Sequence, residues 1–145
     1  MFLNELSKRE SIAFVNLVEA LANIDEVFAE NEKDLVKEYI EELSLDGKTI
    51  EKLTVELALK ELKTSTDRVK NIIYFELLGL ALIDGEYDQK EIDFLDNLAV
   101  NLSISSKKQQ EFINYFKTVK ETYEITFVNY ENKLESLKKA ALDLL

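Results

Sequence analysis

The sequence predicts an all-α protein, a bundle of about six to seven helices with an internal pseudo-twofold repeat. The 145 residues contain no proline and only three glycines, so little except local turn chemistry interrupts a helix. Apolar residues recur at spacings of three and four along most of the chain. In addition, residues 21–45 align with residues 80–104 at a shift of 59 positions. A repeat of this kind indicates a duplicated helical hairpin.

The repeat rests on identical or similar residues at equivalent positions. The pairs are Leu21 and Leu80, Ala22 and Ala81, Ile24 and Ile83, Asp25 and Asp84, Phe28 and Tyr87, Glu32 and Glu91, Asp34 and Asp93, Leu43 and Leu102, and Ser44 and Ser103. The length suits one domain over 1–145. We expect repeat units at about 10–46 and 69–105, followed by a C-terminal helix or helices over 107–145.

Three helices are expected in the first half of the chain. The first begins after Ser7 or Ser11 and runs to about residue 24, and the second covers about 30–44. Asp46-Gly47, a turn signal, ends the second helix. The third covers about 50–63, opens after Thr49 and buries the apolar residues Ile50, Leu53 and Leu57.

The second half begins with the most apolar segment of the chain. The fourth helix, about 66–83, follows a Thr-Ser-Thr break that offers a hydroxyl N-cap. Apolar residues surround most of its circumference, which is typical of a helix at the centre of a bundle. Gly79 within it marks close helix packing. The fifth helix, about 88–102, repeats the second and directs Leu95, Leu98 and Leu102 inward.

The C-terminal region has no strong helix breaker. As one helix, ~38 residues would span about 57 Å, whereas a compact domain of this length has a radius of gyration of about 15 Å. Either the helix bends near residues 122–126, or it is one long helix whose distal half pairs with a second subunit. Its aromatic stripe then forms core or a homodimer seam; the stripe contains Phe112, Tyr115, Phe116, Tyr123, Phe127 and Tyr130.

Composition excludes several classes of function. The chain has no cysteine and no histidine, which removes disulfides, thiolate zinc sites, the common catalytic triads and two-histidine metal motifs. The absence of cysteine suits a reducing compartment, and we expect a cytoplasmic protein because neither a secretory signal nor a membrane-spanning run is recognisable. The net charge of −11 argues against nucleic acid as a partner.

The candidate functional residues lie in a repeated acidic turn. Each copy has the frame Ile-Asp-x-x-aromatic-x-x-x-Glu, which runs from Ile24 to Glu32 and from Ile83 to Glu91. Carboxylate oxygens without histidine or cysteine suit calcium, magnesium or manganese rather than zinc. The six candidate metal ligands are Asp25, Glu32, Asp84, Glu86, Asp88 and Glu91.

A purely structural role remains open for these same residues. Asp88 and Glu91 can form a capping box at the start of the fifth helix. Asp25 and Asp84 can nucleate turns through their own backbone. The second copy also matches part of an EF-hand loop, but Leu80 and Leu82 would occupy the first two ligand positions, which excludes a true EF-hand.

The segment from Ala81 to Glu91, with the frame small-x-x-Asp-Gly-x-apolar-x-x-x-Glu, resembles the TerB-like family of tellurite-resistance proteins. The segment from Ala22 to Glu32 resembles a degenerate copy of the same motif, in which Glu26 replaces the glycine. The resemblance covers roughly residues 10–118. It implies an all-helical, duplicated fold, a clustered acidic surface, links to stress response and no established enzymatic reaction.

Three functions compete. The first is a non-enzymatic TerB-like binding module whose acidic corners hold a divalent cation or a protein partner. The second is an acidic inhibitor or scaffold, for example a phage protein, acting by protein–protein contact, which the charge of −11 permits. The third is an enzyme with paired carboxylates, but nothing in the sequence marks such a pair. We expect the first and no catalytic residues.

Overall fold

The computed structural model describes residues 3–24, 32–43, 45, 50–83, 89–123 and 139–145. Within these ranges the protein is helical and contains no strand, which confirms the predicted all-α bundle. After a 3-10 turn at Leu3–Glu5, the helices are α1 (Lys8–Ala22), α2 (Glu32–Glu42), α3 (Val55–Leu62), α4 (Asp67–Ile83), α5 (Gln89–Asn101) and α6 (Ser106–Tyr123). Residues 139–144 are also helical.

Helix α1 begins at the first of the two predicted serines. The Ser7 hydroxyl accepts a hydrogen bond from the Glu10 backbone N–H at 3.2 Å, and the Ser7 N–H donates to Glu10 Oε1 at 2.9 Å. This reciprocal pair is a capping box, which satisfies two of the backbone donors at the start of the helix. Ser11, the alternative start, is buried within α1.

The prediction for the third helix was wrong at its start. Helix α3 begins at Val55, and residues 50–54 are not helical. The Asn16 side chain holds this segment: its amide donates to the Glu51 carbonyl at 2.9 Å, and its Oδ1 accepts from the Leu53 N–H at 2.8 Å. These bonds occupy backbone groups that an earlier helix would need, and Thr54 caps α3 instead.

The inward face of α3 also differs from the prediction. Leu57, which we expected in the core, is 49% exposed. Ala58, Leu59 and Leu62 are buried instead, because α3 lies against α1 with this stripe.

The helices form two packed groups joined at their first members. Helix α1 contacts α2 and α3, helix α4 contacts α5 and α6, and α1 contacts α4. The predicted central position of α4 is reflected in its burial, since Ile72, Ile73, Leu77 and Leu78 are fully buried. From α5, Leu95, Leu98 and Leu102 point inward as predicted.

Gly79 packs against an aromatic ring, as the sequence indicated. A Cβ atom at this position would lie only 2.6 Å from Cζ of Phe116, so the missing side chain lets α6 approach α4 closely. Phe75 stacks at 4.7 Å from Phe116 and at 5.4 Å from Phe112, measured between ring centroids. Phe112, Tyr115 and Phe116 are therefore core residues; the side chains of the other three stripe residues lie outside the described part.

The helix boundaries recur at the shift found in the sequence. Helices α1 and α4 begin 59 residues apart, at Lys8 and Asp67, and α2 and α5 end 59 residues apart, at Glu42 and Asn101. The chain after each second helix has the same reverse bond, from the Leu45 N–H to the Ile40 carbonyl and from the Ile104 N–H to the Ala99 carbonyl, both at 2.9 Å.

The end of α5 shows what this bond requires. The Ser103 N–H also bonds to the Val100 carbonyl, and Ser103 has a φ of 57°. This is a Schellman motif, in which one left-handed residue reverses the chain and satisfies carbonyls of the last helical turn. Ser44, the equivalent of Ser103, lies outside the described residues.

Candidate functional site

The structure describes only part of the predicted acidic site. Asp25, Asp84, Glu86 and Asp88 lie outside the described residues, and Glu32 is described only as the first backbone position of α2. Glu91 is the one candidate ligand whose side chain is described. The ligand set therefore stays a prediction for these corners.

Glu91 lies in the first turn of α5, and only 3% of its surface is exposed. A buried carboxylate needs compensating polar interactions because transfer out of water is costly, and Glu91 does interact within the fold. The cap glutamate of α1 offers a contrast, since Glu10 remains half-buried while completing its capping box. Capping alone therefore does not require the burial seen at Glu91.

The two helices that lead to the acidic corners are linked at their starts. The Arg68 guanidinium, in the first turn of α4, donates to both carboxylate oxygens of Glu5 at 2.6 and 2.9 Å. The Ser65 hydroxyl, just before α4, donates to Glu10 Oε2 at 2.5 Å. The N-terminal ends of α1 and α4 thus lie at one end of the bundle.

These links lower the pKa of both glutamates. The hydrogen bond from Arg68 is the main reason that the pKa of Glu5 lies below its usual value of 4.5, with the charge of Arg68 adding to it. At Glu10, burial acts to raise the pKa, but hydrogen bonds from Ser65 and Ser7 outweigh it and the pKa falls. Both carboxylates are therefore charged at neutral pH and hold the α1–α4 end together.

The described residues do not by themselves form a metal centre. In those ranges, no three acidic side chains lie close enough together to hold a cation. None of the helices described there has the length and apolarity needed to cross a bilayer.

Sequence reasoning missed two polar features of α3 and its surroundings. Asn16 is 6% exposed and joins α1 to the segment before α3; its only sequence signal is a lone amide on the apolar face of a helix. The second feature is a groove between α3 and α5, with Lys60 and Lys63 on one wall and Asn97 and Asn101 on the other. Each pair has the spacing of one helix face, which is the signal that could have found it.

Comparison with protein-family models, with curated protein sequences and with solved structures gave no significant match. The resemblance to the TerB-like family therefore rests on the repeated turn motif alone.

Proposed function

We propose that this protein is a non-enzymatic binding module of TerB-like type whose two acidic corners, residues 25–32 and 84–91, hold a divalent cation or a basic segment of a protein partner. The burial of Glu91 carries this proposal. Its carboxyl group is withdrawn from water at the edge of the second corner, where the sequence supplies three further carboxylates.

The linked ends of α1 and α4 support a common location for the two corners. Both helices begin at the same end of the bundle and contact each other. They have 15 and 17 residues, which corresponds to lengths of about 22 and 26 Å. Two contacting helices of similar length that leave the same end favour corners on the same side of the molecule.

The chemistry of the corners favours a hard cation. Carboxylates are the only acidic ligands that the chain offers, because it contains neither histidine nor cysteine. Calcium, magnesium and manganese prefer such oxygen ligands. The same negative charge would attract lysine or arginine side chains of a partner protein. The link to stress response belongs to this proposal through the family resemblance only.

Thermal melting with each cation against chelator tests the metal form of the proposal. At a hundredfold excess over Kd, a one-site ligand adds about 2.7 kcal/mol, which raises Tm by roughly 5–11 °C in a chain of this size. We expect that Glu91→Gln and Asp84→Asn abolish the rise. Asp96→Asn, an exposed change on α5, is the matched control and should keep it.

No shift with any of the three cations would eliminate the metal form. The partner form is then tested by titrating a lysine-rich peptide at low and high salt. A salt-sensitive complex that Asp84→Asn weakens and Asp96→Asn leaves intact would support it. Equal weakening by both variants would instead favour the alternative function, an acidic scaffold that acts through its overall charge of −11.

A further inference from the structure

The groove between α3 and the C-terminal half of α5 is the most distinct cavity outside the acidic corners. Its volume is about 510 Å³. Pockets for metabolite-sized ligands typically measure ~300–1,000 Å³, so the groove has a suitable size. Its floor includes the apolar side chains of Val55 and Leu59, both on α3.

The charge of the groove is opposite to that of the chain. The protein has 29 acidic and 18 basic residues, yet two lysines, Lys60 and Lys63, face a single glutamate, Glu56, in the groove. Among the residues described, neither ammonium group forms an ion pair. The neighbouring acid on α3, Glu61, is paired with Arg9 outside the groove at 3.9 Å.

The opposite wall supplies neutral hydrogen-bonding groups in a fixed arrangement. The Asn101 side-chain amide donates to the Asn97 carbonyl at 2.8 Å and to Asn97 Oδ1 at 3.3 Å. This pairing orients both amides along α5. Within the described part of the chain, the Asn97 side-chain N–H2 group makes no hydrogen bond, so it remains as a donor for a ligand.

We propose that the α3–α5 groove binds a small organic anion, whose carboxylate or phosphate is held by Lys60, Lys63 and the Asn97 amide and whose apolar part lies on Val55 and Leu59. This site is separate from the acidic corners and does not depend on the function proposed for them. The lysines also complement the negative end of the α3 dipole, but that role requires neither the apolar floor nor the amide wall.

A titration followed by two-dimensional ¹H–¹⁵N NMR tests the proposal with defined probes. Phenyl phosphate and benzoate carry the two anionic groups on an apolar ring, benzyl alcohol removes the charge, and inorganic phosphate removes the ring. We expect saturable shifts at backbone signals of residues 55–63 and at the Asn97 side-chain signals. Phenyl phosphate or benzoate should bind more tightly than either benzyl alcohol or inorganic phosphate, and the tighter of the two identifies the anionic group.

Charge-matched double variants separate the groove from general electrostatic attraction. Lys60→Gln/Lys63→Gln should weaken binding of the tighter probe about tenfold or more, since two charge-assisted contacts are lost. Lys107→Gln/Lys117→Gln removes the same charge from exposed positions of α6 and should leave binding unchanged.

Three results would overturn the proposal. They are an absence of saturable shifts at the groove, equal effects of the two double variants, and binding of benzyl alcohol as tight as that of the anions. Binding of a glutamate-rich peptide without binding of phenyl phosphate or benzoate would also overturn it, because the groove would then be a protein-docking surface.

Discussion

The two halves of the molecule use the same helical plan but secure their third helix by different chemistry. At positions 59 residues apart, α1 carries Asn16 and α4 carries Phe75. Asn16 bonds to the backbone that precedes α3, whereas Phe75 stacks on aromatic rings of α6. A duplicated scaffold can therefore diverge at one position and exchange a polar attachment for an apolar one.

The third helices show the consequence of this difference. Leu57 of α3 and Phe116 of α6 are equivalent by the shift of 59, but Leu57 is 49% exposed and Phe116 is 7% exposed. The position facing Phe116 on α4 is Gly79, where the first half has Ala20. The glycine and the ring thus belong together, and the second half buries a side chain that the first half leaves in water.

The largest expected effect comes from truncating the two equivalent side chains. Phe116→Ala should lower the free energy of unfolding by about 3–5 kcal/mol, because it removes a buried ring and leaves a cavity beside Gly79. Leu57→Ala should change it by roughly 0.5 kcal/mol or less, since about half of that side chain is already solvated. Urea denaturation of both variants measures the difference; similar losses would contradict the different packing of α3 and α6.

Removing the polar attachment in the first half should have the next largest effect. Asn16→Ala leaves the Glu51 carbonyl and the Leu53 N–H without their partner, which should cost about 2–3 kcal/mol. Hydrogen exchange should show faster exchange at Leu53 than in wild type. Asn101→Ala, which removes an exposed amide, is the control for stability and should cost less than about 0.5 kcal/mol. A loss at Asn16 as small as that would show that this attachment is not what positions α3.

The same residues explain which parts of the fold were predictable. Helices α1, α2, α4 and α5 follow from apolar periodicity and turn signals, which are local, and Gly79 was recognised because glycine is rare inside an apolar helix. The start of α3 was not predictable in this way. It depends on Asn16, 37 residues before Leu53, and a long-range hydrogen bond leaves no mark on local periodicity.

The acidic site illustrates a different limit. The repeated motif identified the candidate ligands by residue type, and the burial of Glu91 is a property that its capping-box spacing did not reveal. Burial depends on the helices that surround α5 rather than on the residues next to Glu91 in sequence. For the same reason, the α3–α5 groove could not be found before two helices from different halves were brought together.

Relief of backbone strain at the end of α5 should give a smaller effect of opposite sign. Ser103 adopts a φ of 57°, a region that costs an L-residue about 1–2 kcal/mol. Ser103→Gly should therefore stabilise the protein by roughly 0.5–1 kcal/mol after the added chain entropy of glycine is subtracted. Ser103→Ala is the control and should not stabilise. The variant Ser44→Gly tests whether the first half responds in the same way.

The smallest expected effect concerns the link between the two halves. The pKa of Glu10 is lowered in the folded protein, mainly because the hydrogen bonds from Ser65 and Ser7 outweigh the effect of burial. A carboxyl group with a lowered folded pKa adds stability above its unfolded pKa, and that stability is lost as the pH falls below about 4.5 through the folded value. Glu10→Gln should therefore cost less than about 1 kcal/mol at pH 7 after solvent screening. Because the wild type loses this contribution in acid, the difference between the two proteins should shrink when denaturation is repeated near pH 3. Ser65→Ala should give the same pH dependence in weaker form, since it removes one donor and leaves the α1 capping box intact. A Glu10→Gln difference that stays constant from neutral to acid pH would mean that the carboxylate charge does not contribute to joining α1 and α4.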